Sequence, residues 1–200
     1  MIAGLSAFAS FGQTAGAFAQ NPASSRPNPA QPEDDVLRQL RPSHPRLLLL
    51  DADMDRLRGL VHENPAVKRI YAEFEKECDR LLSTPPVEYK IFGGRFSAQT
   101  RRAFDRIATL ALMYRLSGRD PWFRRAVMEM NAAANFRDWN PGHFLDTAEM
   151  TSTFAIGYDW LYNALAPEDR APLRDALLAK GLVPAIAAYQ SQSLWTHDRG

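Results

Sequence analysis

A single cysteine, Cys78, stands in the 200 residues, inside the polar run Glu75-Lys76-Glu77-Cys78-Asp79-Arg80. That excludes an internal disulfide and any Cys-based zinc site, so stability has to come from a packed core. Charge of one sign is lacking too: 24 Lys and Arg stand against 23 Asp and Glu, a formal net charge of +1. Without a global basic field the chain is not built for strong non-specific binding to nucleic acid or to an anionic membrane, and any polyanion must be held locally. Strand-period alternation is missing throughout, as is a fixed-period repeat of the TPR kind. His44 and His62 have no neighbouring ligand pattern, and Gly93-Gly94 lacks the spacing of a phosphate loop, so neither metal nor cofactor is predicted.

No Lys, Arg, Asp or Glu occurs in residues 1–19, which are rich in Ala, Phe and Gly and finish with Ala17-Phe18-Ala19 before Gln20. The small-x-small ending predicts a signal peptide and hence a periplasmic or secreted protein. Gly12, Gln13 and Thr14 interrupt the apolar stretch too early for a membrane span of about 20 residues, so no membrane association is expected after cleavage. Residues 20–42 read as a linker, with Pro22, Pro27, Pro29 and Pro32 among Ser, Asn and Gln and no apolar periodicity. Residues 43–200 form the predicted folded domain. Its first segment, Pro45-Arg46-Leu47-Leu48-Leu49-Leu50, is too short for a helix and reads as an extended piece tucked against a core.

What is there after Asp51 is helix. Asp51 is expected to cap a helix over 51–63, and Asn64-Pro65 supplies a cap and a first-position proline for another over 65–82. Residues 83–96, with two prolines and two glycines, break the pattern, and Ser97 is expected to cap the next helix. There Phe104, Ile107, Leu110, Ala111 and Tyr114 recur at three- and four-residue steps opposite Arg101, Arg102, Asp105 and Arg106, which predicts a surface-facing amphipathic helix. Asp120-Pro121 repeats the cap-plus-proline start. Residues 144–165 hold no Lys or Arg and only three acids over about six turns, the mark of a more buried helix. Pro167 opens a further helix that Gly181 should end, and Pro184 opens one more. The predicted class is all-α: antiparallel helix hairpins forming part of an α/α toroid, favoured over a solenoid.

Four stretches carry a resemblance. His44-Pro45-Arg46-Leu47-Leu48-Leu49, Leu112-Met113-Tyr114-Arg115-Leu116-Ser117-Gly118, His143-Phe144-Leu145-Asp146-Thr147-Ala148-Glu149-Met150 and Ala155-Ile156-Gly157-Tyr158-Asp159-Trp160-Leu161-Tyr162 resemble the heparinase II/III and alginate lyase family of polysaccharide lyases, over about residues 43–197. The resemblance implies the N-terminal part of an α/α toroid and an acidic polysaccharide or oligosaccharide as partner. It also implies β-elimination: a donor neutralises the uronate carboxylate, a His or Tyr removes the C5 proton, and a Tyr protonates the leaving oxygen. In the family the neutralising Asn follows a Trp-containing helix end, here Leu194-Trp195-Thr196-His197. That puts the catalytic groups beyond Gly200, so the chain is expected to be an inactive fragment.

The residues expected to meet substrate are His143, Asp146, Glu149, Tyr158, Trp195 and His197, with Glu149 foremost. Each has a plainer alternative. Asp146 and Glu149 could simply favour a positive helix N-terminus, Tyr158 and Trp160 could pack in the core, and His197 could be solvated. Asp159, in an apolar helix, needs a donor and reads as structural. Trp139 and Trp195 are either sugar platforms or packing residues, and the pairs Arg101-Arg102 and Arg124-Arg125 read as solvated helix faces. Two other classes stay open: a helical-toroid glycoside hydrolase, for which Asp146 and Glu149 on one helix turn make a poor carboxylate pair, and a non-catalytic carbohydrate-binding or scaffold protein.

Overall fold

The computed structural model describes residues 40–191. The predicted signal peptide, nearly all of the predicted linker, Trp195 and His197 lie outside the described residues. Within them the chain is all-α, with one isolated β-bridge between Phe92 and Arg95. The helices are α1 (Asp51–Glu63), α2 (Pro65–Leu82), α3 (Ser97–Ser117), α4 (Asp120–Ala134), α5 (Phe144–Leu161), α6 (Pro167–Leu177) and α7 (Val183–Gln190). No helix among the described residues is long and apolar enough to cross a membrane.

Helix boundaries follow the punctuation, with local differences in who caps. Asn64 behaves as its sequence predicts: its side-chain oxygen accepts from the amides of Ala66 and Val67, at 2.9 and 3.3 Å. Asp51, by contrast, is the first helical residue. Leu50 takes the cap position, and its amide donates to Asp53 Oδ2 at 3.0 Å. Ser97 likewise begins α3 and Phe96 precedes it as the cap. Gly118 ends α3 in the left-handed region (φ 72°), donating to Tyr114 O, which a residue with a Cβ would do only under strain.

The centre of the fold is α3, which packs on α1, α2, α4 and α5. This corrects the expectation of a peripheral α3, although α5 is the more enclosed of the two as its low charge predicts: three of its residues are exposed, against six of those described in α3. Charge in α3 is gathered in its first turns and at Arg115 near its end, while from Ile107 to Tyr114 it is nearly all apolar, and Ile107, Leu110 and Ala111 are fully enclosed. Phe104, assigned to the apolar stripe, is 43% exposed. In α5 the missing charge is replaced by Thr, Ser, Ala and Gly, small residues that tolerate both environments. Gly157 makes the α3–α5 approach possible, since a Cβ there would stand 2.7 Å from Ile107 Cγ2.

Gly181 does not end a helix. The backbone runs from α6 into α7 through a π-helical turn, Leu178–Leu182, in which the Val183 amide reaches Leu178 O. Pro184 has no amide to donate, so a regular ladder would lose a bond here in any case. The absence of a side chain at 181 serves packing instead. A Cβ there would lie 2.5 Å from Thr151 Oγ1 and 3.2 Å from Trp139.

Cys78 is fully enclosed on α2. Burial, reinforced by the charges of Asp79 and Glu77, pushes its thiol up to about 12 from 9.0. The native protein should therefore resist iodoacetamide at pH 8 and react at once when unfolded, as mass spectrometry of the alkylated chain would show. A thiol whose pKa is raised by folding favours the native state fully below pH 9, and that contribution is lost as pH rises toward 12. Rapid alkylation of the native chain would mean that α2 opens locally.

Candidate functional site

Glu149 is the predicted residue that the structure leaves facing a groove. Leu145, Ala148, Glu149 and Ser152 recur at helical steps along one face of α5, and Thr100, Arg101, Phe104 and Asp105 face them from α3. Between the two rows lies a cavity of about 480 Å³. Phe104 and Leu145, 43% and 57% exposed, give it apolar walls. Thr100 donates its hydroxyl to Glu149 Oε2. The groove thus offers an aromatic face, a fixed carboxylate, a hydroxyl at Ser152 and a guanidinium at Arg101, a set suited to the alternating apolar and polar faces of a sugar. Its α5 row was legible as a periodic stripe around Glu149. Its α3 row was missed, because Arg101 and Asp105 were read as the solvated side of an amphipathic helix, Phe104 as part of its buried stripe, and Thr100 was assigned to neither.

Asp146 follows the plainer alternative and does not line the groove. It is fully buried, and its Oδ2 accepts from the Phe96 amide at 2.7 Å and from Asn140 Nδ2 at 2.8 Å. These bonds tie the loop before α3 to the turn before α5. His143 sits at the start of α5 with Nδ1 3.1 Å from the same oxygen, in contact but outside hydrogen-bonding geometry. His143 and Asp146 are therefore together, apart from Glu149.

Tyr158 lies nine residues beyond Glu149, which on a helix is half a revolution away. It packs edge-on to His44 and Tyr162, and burial raises its phenol above the usual range. Trp139 is fully buried, donates its indole N–H to Ala133 O and packs on Phe154, so it is core and no sugar platform.

At the other end of α5 the sequence stretches converge. Asp159 is 4% exposed and accepts from His44 Nδ1 at 2.6 Å and from the amides of Arg46 and Leu47 at 2.8 Å. The His44 ring stacks on Tyr162 with centroids 3.8 Å apart, Trp160 Nε1 donates to Leu47 O, and Asn163 donates to His44 O. From α3, Arg115 donates to Leu49 O at 2.7 Å. The segment 45–50, predicted as extended and tucked against the core, is instead bent, with Leu48 in the left-handed region (φ 54°) and Leu47 and Leu48 exposed; it is held by one carboxylate, one guanidinium and the Trp160 indole, with Tyr162 stacked on His44 just before it. The structural role expected of Asp159 is what it has.

The arginine pair on α4 was misread as solvated. Arg125 is 4% exposed and pairs with the fully buried Glu129, whose Oε1 also accepts from Arg106 at 3.0 Å and whose Oε2 accepts the Val87 amide at 2.9 Å. Arg124 is the exposed member, paired with Asp120. Spacing alone gave both residues to one face. An α4 flanked on two sides buries one and leaves the other in water.

No protein-family model matches the chain, and no curated protein matches it significantly.

Proposed function

We propose that the chain is the N-terminal helical part of a polysaccharide lyase that cleaves uronic-acid polysaccharides by β-elimination, exported to the periplasm or beyond, with its hairpins forming part of an α/α toroid. One observation carries the reading. Three of the four stretches on which the resemblance rests meet in space, His44 to Leu49 held by Arg115 from the second and by Asp159 and Trp160 from the fourth. Short sequence likenesses that arose by chance have no reason to be one another's hydrogen-bond partners. The remaining stretch supplies Glu149 to the groove.

In this reading the groove binds and orients the polymer and does not perform the elimination. Among the described residues its lining holds neither His nor Tyr, the side chains suited to removing a C5 proton. The neutralising donor and the base belong to a part of the parent enzyme beyond these residues. The 200-residue chain should therefore bind oligouronates prepared from alginate or heparan sulfate without generating the ultraviolet absorbance of an unsaturated uronate. Glu149→Ala should weaken binding about tenfold or more, because a hydrogen bond to a charged acceptor is worth about 1.5–3 kcal/mol. Strong elimination by this chain would show the catalytic centre to be within it. Release of reducing ends without unsaturation would favour a hydrolase, for which Asp105 on α3 and Glu149 on α5 supply carboxylates from two different helices.

A further inference from the structure

With a net charge of +1, this protein can hold a polyanion only where its cations are concentrated. One such place lies beside the groove. Between α2 and α3 is a cleft of about 340 Å³ lined by Arg80, Arg101, Arg102 and Arg106, with Glu77 and Asp105 as the acids. Arg101 and Asp105 also line the groove of Glu149, so the two depressions adjoin at these side chains on the α3 surface.

The four guanidiniums are not equally engaged. Arg80 is bound to Glu77 through two nitrogens, and Arg106 is spent on Pro85 O and the buried Glu129. Among the described residues Arg102 hydrogen-bonds only Gln99, an uncharged partner, at 3.1 Å, and acts on the exposed Glu88 through space. Among the described residues Arg101 has no hydrogen-bond or ion-pair partner. Both lie in the second turn of a helix whose first turn contains no acid. Their charge therefore adds to the positive end of the helix dipole instead of offsetting it. The carboxylate one turn away, Asp105, lines the same cleft but makes no ion pair with either arginine among the described residues, so both guanidiniums keep donors for an acid from outside.

We propose that this cleft is an anionic subsite, in which Arg101 and Arg102 take acidic groups of a polyuronate whose neighbouring sugar ring occupies the groove at Glu149. The inference rests on the proposed function and extends it: the groove reads ring and hydroxyls, the cleft reads charge. Guanidinium suits the task because its planar fork grips a carboxylate through two parallel hydrogen bonds. Since both arginines are exposed, the attraction is strongest at low salt and is screened as ionic strength rises.

Titration of the whole chain with oligomannuronate, at low and high salt, tests this. The double variant Arg101→Ala, Arg102→Ala should bind about tenfold more weakly and lose most of the salt dependence, as expected for two exposed ion pairs. Arg124→Ala, which removes an exposed charge from α4, should bind as the parent does. Thermal unfolding followed by circular dichroism checks that both variants are folded. Undiminished, salt-sensitive binding by the double variant, with loss of binding in Glu149→Ala, would overturn the cleft and leave the groove standing. Weakening by the double variant with no effect of Glu149→Ala would keep the cleft and reject the groove. Equally tight binding of a single-stranded DNA oligonucleotide, or no binding of oligomannuronate by the parent chain, would refute the assignment.

Discussion

Glu129→Ala should destabilise the protein by about 3–5 kcal/mol, seen as a large fall in the urea midpoint at unchanged slope. The carboxylate is completely enclosed and is the shared acceptor for Arg125, Arg106 and the Val87 amide. Truncation leaves the Arg125 guanidinium, itself 4% exposed, as a buried charge without its counterion. Arg106 suffers less, for it keeps Pro85 O and lies nearer water. Total stability for a domain of this size is about 5–15 kcal/mol, so the variant should sit near the edge of folding. If it fails to accumulate, Glu129→Leu combined with Arg125→Met still decides the matter. Removing both charges removes both desolvation penalties, and the double variant should be more stable than Glu129→Ala alone. A loss below about 1 kcal/mol in the single variant would mean that water reaches Arg125 in solution.

Asp159→Ala should cost about 3 kcal/mol, with a different signature. The carboxylate is a single hub for His44 Nδ1 and the amides of Arg46 and Leu47. Hydrogen bonds to a charged acceptor contribute about 1.5–3 kcal/mol each, but these three share two oxygens and are not additive. The helices keep their own contacts, so the loss should be local first. Amide exchange at Arg46 and Leu47 should accelerate by orders of magnitude, while amides in the middle of α3 and α4 accelerate only in proportion to the loss of global stability. Asp159→Asn, which keeps the shape and one acceptor, should fall between the two. Unchanged protection at Leu47 in the alanine variant would show that Trp160, Asn163 and the stacked Tyr162 hold the segment unaided.

Helix positions were legible because the chain marks its breaks with residues whose backbone preferences are strong. Asn64-Pro65, Asp120-Pro121 and Gly118 leave few choices. Depth was harder to read. A charge count separated α3 from α5, yet it averages over a helix whose charges gather in the first turns and at Arg115, and Ile107, Leu110 and Ala111 between them are as enclosed as anything in α5. Gly181 was misread for a related reason: sequence shows that a glycine is present but not whether it serves backbone freedom or the approach of Thr151 and Trp139. At the site, the Glu149 stripe was visible as a helical period on one chain segment. The Thr100 and Phe104 wall required knowing which helix lies opposite, a fact held in no local window. The ion-paired burial of Arg125 was hidden likewise, since its counterion is one turn away on the same helix and reads as an ordinary surface pair.

The hold of Asp159 on residues 44–47 also sets an order of events during synthesis. The partners are separated by up to 115 positions, so the first folded segment to be made cannot be seated until the last turn of α5 has been translated. Loops of that length close at an entropic cost that grows only slowly with further length, but no closure is possible before both ends exist. Helices α1 to α4 can associate through nearer contacts in the meantime, with α3 as their common surface. The backbone of residues 44–47 then docks late onto a scaffold already formed, with the Leu47 and Leu48 side chains left in solvent, and a ribosome stalled anywhere before codon 159 would carry a nascent chain in which that segment is still waiting for its carboxylate.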